Sequence, residues 1–205
     1  LPYSVKEIYG IRNSGKYGNL KQIYNEFYPF YTVKEDSQID KKEMIITEDS
    51  NSGYQFFDSV SKDFGIKCET ANGKSNIFSE LQYLNKEKKE RKILIIADGA
   101  AFGSEIEKIE KMRRLNNQID LYLPESFEWM ILKSGILEEN KIEEILENPE
   151  ENIDSKKYFS WERFFTELLI QETTGTQFQY FKSKLNEYYM KGQVRDRILN
   201  VMKKS

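Results

Sequence analysis

Short apolar runs alternate with longer stretches of helical spacing between about residues 43 and 135. An apolar run of four to eight residues is typical of a buried strand, whereas apolar residues three or four positions apart are typical of an amphipathic helix. The pattern predicts strands at Met44–Thr47, Ile66–Thr70, Lys92–Ala97 and Ile119–Leu123, with helices at Gly53–Phe64, at Asn76–Glu90 and from Ser104. This alternation predicts right-handed crossovers and a parallel sheet.

The third predicted strand, Lys92–Ala97, carries the strongest signal because its apolar run is continuous and mostly β-branched. Such a run is typical of a central parallel strand that is buried on both faces. Capping residues refine the helix bounds. Gly65 is predicted to end the first helix, Ser75 to be the N-cap of the second, and Pro124 to open a helix after the fourth strand.

The segments on either side of this α/β unit differ from it in composition. Residues 1–42 are rich in tyrosine and glycine, and we expect a lead-in segment with a helix at Asn19–Tyr31 and a charged connector at 34–42. Residues 136–205 are expected to form a helical C-terminal extension. Its predicted parts are a short helix and a loop in the acidic stretch 136–154, then helices that begin near Trp161, cover Tyr180–Tyr189 and cover Val194–Met202.

Composition narrows the chemistry open to the chain. Its 205 residues are 39% hydrophobic and 32% charged, the profile of a soluble globular protein, and no apolar run approaches the length of a membrane span. The sequence contains no histidine, which excludes Ser-His-Asp and Cys-His nucleophile systems and histidine-ligated zinc or iron. Cys68 is the only cysteine, so no internal disulfide forms, and we predict a core position for it. No apolar leader is visible, and a cytoplasmic location is expected.

Acidic residues follow two of the predicted strands. Glu48 lies after the first strand and Asp98 after the third. Ligands of open parallel sheets bind at the carboxyl ends of the strands, where such side chains converge. Carboxylates there suit Mg²⁺, which takes one or two of them together with water and phosphate oxygens. The alternative is that both acids only cap helices and hold turns.

One predicted strand ends in Glu48, two βα steps follow, and a later strand is followed by Asp98 and, five residues later, by Gly103. This order of elements and residues resembles the toprim pattern. The toprim domain is shared by topoisomerases, bacterial primases, overcoming-lysogenization-defect nucleases and a recombination mediator. The resemblance covers about 80 residues and implies a toprim/Rossmann-like fold at 43–135. It also implies that Glu48 is the general acid/base of phosphodiester chemistry on nucleic acid and that Asp98 is a ligand of Mg²⁺.

Two positions depart from the toprim pattern. Ala100 stands where the pattern has its second aspartate, and Asp49 stands where a glycine usually follows the glutamate. The missing carboxylate weakens the predicted metal site. Replacement ligands are expected among Glu105, Glu125 and Glu128, on position alone.

Two further segments are candidates for phosphate binding. Lys74 and Ser75 follow the second strand, where the lysine and a helix N-terminus are placed to hold a phosphate, although a turn and an N-cap are the favoured explanation. Gly10–Tyr17 matches a phosphate-binding loop except that Tyr17 replaces the required Ser or Thr. The simpler interpretation of that segment is a glycine-bearing loop.

The whole chain also resembles the C-terminal half of a group of bacterial ATP-binding proteins, in which a P-loop ATPase domain precedes a segment like Leu1–Tyr9. This resemblance implies that the chain is part of a longer protein with an upstream ATPase domain as a partner. Three functions remain open from the sequence. They are metal-dependent cleavage of nucleic acid, a catalytically degenerate toprim-fold interaction or regulatory module, and a flavodoxin-like domain that binds a small phosphate ligand.

Overall fold

The chain folds around a parallel β-sheet. A computed structural model describes residues 9–14, 17–22, 31–33, 39–86, 91–102, 105–116, 118–137, 140–154 and 156–202. The strands are β1 (Tyr9–Ser14), β2 (Tyr17–Gln22), β3 (Tyr31–Val33), β4 (Ile39–Lys41), β5 (Met44–Thr47), β6 (Lys67–Thr70), β7 (Ile93–Ile96) and β8 (Ile119–Tyr122). The helices are α1 (Ser52–Asp63), α2 (Lys74–Lys86), α3 (Gly99–Phe102), α4 (Ile106–Leu115), α5 (Phe127–Lys133), α6 (Asn140–Glu147), α7 (Pro149–Asn152), α8 (Trp161–Thr173) and α9 (Gly192–Val201).

Strands β5 to β8 form one sheet in the order β6-β5-β7-β8, and every pairing in it is parallel. The predicted α/β fold with a C-terminal helical region is therefore confirmed. All four predicted strands of the sheet are present, with ends that differ by at most one residue. None of the helices in the described ranges is long and apolar enough to cross a membrane.

Both faces of the sheet are covered, as the continuous apolar run of β7 predicts. Side chains alternate along a strand, so Leu94 and Ile96 enter one hydrophobic cluster while Ile93 and Ile95 enter another. The first cluster includes residues of α1, α5, α6, α8 and α9, and the second includes residues of α2 and α4. The C-terminal helices thus share a core with the sheet, and the boundary between 135 and 136 stays a prediction.

The N-terminal predictions are wrong where the structure describes them. Residues 19–22, assigned to a helix, belong to β2, which pairs antiparallel with β1. The first five residues of the phosphate-loop-like segment, 10–14, lie in β1 and not in a loop. The predicted connector contains β4, which pairs with β3. Pairing between segments decides these conformations, and helical spacing within one segment cannot reveal it. Residues 15–16, 23–30 and 34–38 lie outside the described part.

Three capping or helix predictions also need correction. Helix α2 begins at Lys74, because the left-handed backbone of Asn72 (φ 55°) and Gly73 (φ 126°) turns the chain earlier than expected, so Ser75 is not the N-cap. Helix α5 begins after Ser126, whose hydroxyl accepts a hydrogen bond from the amide of Trp129 at 3.1 Å, and not at Pro124. In the third case, only residues 187–189 of the predicted helix 180–189 are helical, and they belong to the 3₁₀ turn Glu187–Met190.

Candidate functional site

The order of the strands places a crevice at the carboxyl ends of β5 and β7. The chain passes from β5 outward to β6 and then crosses back to β7 on the other side of β5. In open α/β sheets such a reversal separates the two neighbouring connections and leaves a binding crevice between them. Glu48 follows β5 directly, and Asp98 lies two residues beyond the end of β7.

Glu48 is fixed by hydrogen bonds to β7 and to the turn that follows β6. Its amide donates to the carbonyl of Ile96 at 3.1 Å, and its own carbonyl accepts from the amide of Gly73 at 2.7 Å. The carboxylate Oε2 of Glu48 accepts a hydrogen bond from the backbone amide of Asp98 at 3.2 Å. The convergence of these two strand ends, predicted from the sequence, is therefore present in the fold.

The crevice opens into a small pocket of about 70 Å³. Its charged lining residues are Glu48, Asp49, Asp98, Glu128, Glu162 and Lys182. Lys182 is the only cation in that lining within the part of the chain that is described. A cavity needs roughly 10–15 Å³ to hold one water molecule, so the pocket accommodates an ion with a few waters.

Crowding of carboxylates shapes the electrostatics of the pocket. Asp98 keeps some contact with solvent, but enough protein atoms lie around its carboxyl group that desolvation, reinforced by Glu128 and Glu162, raises its pKa well above the usual range. Desolvation also raises the pKa of Glu48, and the hydrogen bond from Asp98 opposes this shift only in part. Ionised carboxylates in the pocket therefore destabilise the fold, and a bound cation reduces this destabilisation.

Lys182 is held over the acidic pocket by a non-helical segment with a turn at 182–183, Tyr180–Leu185, which we call the strap. The carbonyl of Lys182 accepts a hydrogen bond from the amide of Ser52 at 3.0 Å. Gln55 binds the strap twice, since its side-chain amide donates to the carbonyl of Ser183 at 3.0 Å and accepts from the amide of Leu185 at 2.9 Å. These bonds to α1 explain why the segment is not helical.

The ammonium group of Lys182 forms an ion pair with Glu162 and lies 3.9 Å from Oε1 of Glu128. Burial alone lowers the pKa of Lys182, but the carboxylates of Glu128 and Glu162 outweigh burial, and its pKa is raised. Lys182 thus stays charged and offsets part of the negative charge of the pocket.

Glu128 belongs to a buried hydrogen-bond chain. The hydroxyl of Tyr180 donates to Oε1 of Glu128 at 2.7 Å, and the hydroxyl of Ser52 donates in turn to Tyr180. The exposed fractions of Glu128, Tyr180 and Ser52 are 2%, 1% and 1%. This chain connects α5, the strap and the start of α1 beneath the pocket.

The remaining predicted site residues lie elsewhere. Glu105 is buried and pairs with Lys108 at 3.0 Å, outside the lining of the acidic pocket. Glu125 lines a different pocket. Lys74 is near enough to Glu48 to lower its pKa slightly, although it does not line the pocket, and Ser75 is exposed in α2. Their predicted roles in phosphate binding stay predictions, and Cys68, predicted in the core, is half-buried in β6.

The donor set fits a metal ion that takes few protein ligands. Within the described ranges no group of three or more acidic or cysteine side chains has a geometry ready to hold a metal. Mg²⁺ requires only one or two carboxylates, because water and substrate oxygens complete its shell. Glu48 and Asp98, which line the same pocket, would supply that number of carboxylates, and the crowding of acids around Asp98 favours a cation.

Replacing Asp98 with Asn is expected to stabilise the metal-free fold at pH 8 by about 1 kcal/mol. A raised pKa means that the ionised carboxyl destabilises the folded state. That penalty is absent below the pKa of the unfolded chain, grows as the pH rises towards the folded pKa, and is complete above it. The gain should therefore vanish near pH 4. Its size is kept small because Asp98 retains some contact with solvent.

Urea denaturation of both proteins between pH 4 and pH 8 measures this difference. Asp196→Asn, at an exposed position of α9, is the matched control and should shift the free energy of unfolding by less than about 0.5 kcal/mol. A gain for Asp98→Asn that is equal at pH 4 and pH 8 would show that the carboxyl group is not the cause.

Sequence reasoning missed Glu162, Tyr180 and Lys182 as site residues. They lie 64, 82 and 84 positions after Asp98 in a segment whose composition indicates only helices with a basic face. No local motif marks them, because they reach the pocket through the packing of α8 and the strap. No family model matches this chain, and no curated protein or solved structure matches it either.

Proposed function

We propose that this chain is a toprim-like domain of a larger ATP-binding protein and that it performs metal-dependent phosphodiester chemistry on nucleic acid. The observation that carries the proposal is the approach of Glu48 to Asp98 at the strand reversal, with the Glu48 carboxylate 3.2 Å from the Asp98 amide. The resemblance at Glu48, Asp98 and Gly103 supports the same assignment. Glu128 adds a carboxylate that the toprim pattern would otherwise lack at Ala100.

Four charged residues of the pocket have a chemical role in this proposal. Asp98, with Glu48 or Glu128, would hold Mg²⁺, which supplies charge stabilisation for a phosphate and activation of a bound water. Glu48, whose pKa is raised towards neutrality, accepts or donates the proton at its free carboxylate oxygen. Lys182 lies beside Glu128 and is placed to meet a phosphate oxygen that enters the pocket.

Metal titration tests the first part of the proposal. Calorimetric titration of Mg²⁺ and Mn²⁺ into the 205-residue chain should give saturable heat, and Asp98→Asn should weaken the affinity at least about tenfold. Asp196→Asn again serves as the control and should bind both ions as the unchanged chain does. Absence of heat for the unchanged chain with both ions would refute the metal site.

Cleavage assays test the second part. The chain is incubated with plasmid DNA, single-stranded DNA and RNA in Mn²⁺ or Mg²⁺. Cleavage that requires the metal and is lost in Glu48→Gln supports the proposal. Cleavage that survives in Glu48→Gln comes from a contaminant or from another mechanism and contradicts it.

A second candidate is a non-catalytic toprim-fold module that regulates or binds a partner. The observation in its favour is the lack of a ready three-ligand metal group in the described ranges, together with Ala100 at the second aspartate position. This candidate predicts metal binding without cleavage, or no metal binding at all. The two assays above therefore separate it from the first.

A further inference from the structure

One edge of the parallel sheet is open along β6. Within the described ranges β6 is the last strand on its side of the sheet, and a cleft of about 660 Å³ lies beside it. All four residues of β6 line this cleft and are at least partly exposed. Three of the four residues of β8, the strand at the opposite edge, are buried. Of the two edge strands, β6 is therefore the more accessible to another chain.

Backbone groups of β6 point towards the open side. The amide of Ala71, directly after the strand, donates to the carbonyl of Thr47 in β5 at 2.9 Å. Backbone groups alternate in direction along a strand, so the amides and carbonyls of Cys68 and Thr70 face away from β5. Such a row of groups is a template for a further strand. We propose that β6 pairs antiparallel with β6 of a second copy of this chain, which joins the two four-stranded sheets into one.

The charges of β6 are complementary to themselves, and this identifies the occupant of the edge as a second copy. With the two-fold axis at Cys68, Lys67 of each copy lies opposite Glu69 of the other. A shift of the axis to Lys67 or to Glu69 would oppose two lysines or two glutamates. Opposite charges directly across a strand pair stabilise it and like charges destabilise it, so the charge pattern selects the register centred on Cys68.

The same charge pattern answers the usual objection to edge pairing. A lysine on an edge strand commonly prevents two copies from pairing, because the two ammonium groups repel. Within one chain Lys67 forms an ion pair with Glu69, and both side chains are well exposed, so this pair contributes little to the fold. In the paired sheet each lysine lies between two glutamates. Tyr83, which is 64% exposed and lines the cleft from α2, adds apolar area for the second copy to cover.

Pairing at β6 does not depend on the proposed phosphodiester chemistry. The acidic crevice lies between β5 and β7, on the other side of β5 from the cleft. The charged residues that line the cleft are all different from those that line the acidic pocket. Failure of one assignment therefore leaves the other standing.

Sedimentation equilibrium of the 205-residue chain tests the proposal at concentrations up to about 1 mM, because a small interface gives weak, transient association. The unchanged chain should show a reversible equilibrium between monomer and dimer. Glu69→Lys and Lys67→Glu each oppose like charges at both contacts and should weaken dimerisation at least about tenfold. Glu187→Lys is the matched control. It also breaks an exposed ion pair with a lysine but does not line the cleft, so it should leave dimerisation unchanged.

A mixture of the two single variants distinguishes strand pairing from damage to the fold. In a mixed dimer one copy carries only lysine and the other only glutamate at positions 67 and 69, so every contact joins opposite charges. The mixture should therefore dimerise although each variant alone does so weakly, and the double variant Lys67→Glu/Glu69→Lys should dimerise as the unchanged chain does. An unchanged chain that stays monomeric, single variants that dimerise normally, or a mixture that does not associate would each overturn the proposal.

Discussion

Glu48→Gln is expected to lower the rate of the proposed phosphodiester cleavage by about 10²- to 10⁴-fold, the usual contribution of a general acid or base. Glutamine keeps the shape of the side chain, and its carbonyl oxygen can still accept the hydrogen bond from the Asp98 amide. The variant therefore removes proton transfer while it preserves the geometry of the crevice. Initial rates on a labelled oligonucleotide in saturating Mg²⁺ measure the loss.

The pH dependence of the rate distinguishes proton transfer from a structural effect. Desolvation raises the pKa of Glu48, so the part of the rate profile that reports its titration should lie above the ordinary range of a glutamate. That part should be missing from the profile of Glu48→Gln. Glu107→Gln, at an exposed position of α4 with the same chemical change, should keep both the rate and the profile. A profile that is identical in Glu48→Gln would rule out Glu48 as the acid/base.

The sheet could be predicted from the sequence because its signals are local. The run Ile93–Ile96 is apolar throughout, and this requires burial on both faces, which the two hydrophobic clusters provide. Gly65 ends α1 with a left-handed φ of 61°, as its position after an amphipathic stretch indicates. The antiparallel pair β1–β2 could not be predicted, because each strand is defined by its pairing with a second segment of the chain.

The candidate site likewise contains residues with a local sequence signal and residues without one. Glu48 and Asp98 directly follow apolar runs, so the position of each in the sheet can be inferred from a few neighbouring residues. Lys182 has no such neighbours. Its place over the pocket results from hydrogen bonds between the strap and α1 that join residues about 130 positions apart. Contacts of that kind leave no periodic pattern in a single sequence.

Tyr180→Phe is expected to destabilise the fold by about 2 kcal/mol, because a hydrogen bond to a buried charged group contributes roughly 1.5–3 kcal/mol. The variant removes the donor to Glu128 and the acceptor of the Ser52 hydroxyl, while the ring itself still fits its place. Both remaining polar groups are then left in a site with almost no solvent contact. Urea denaturation at pH 7 measures the difference.

Tyr188→Phe makes the same chemical change at a tyrosine that is 53% exposed, and it should alter the free energy of unfolding by less than about 0.5 kcal/mol. The double variant Tyr180→Phe/Glu128→Gln separates the hydrogen bond from other effects of the ring. Coupling between the two changes is expected, since the residues are in direct contact. Strict additivity would mean that Glu128 does not hold the strap. The position of Lys182 over the acidic pocket would then depend on the α1 contacts alone.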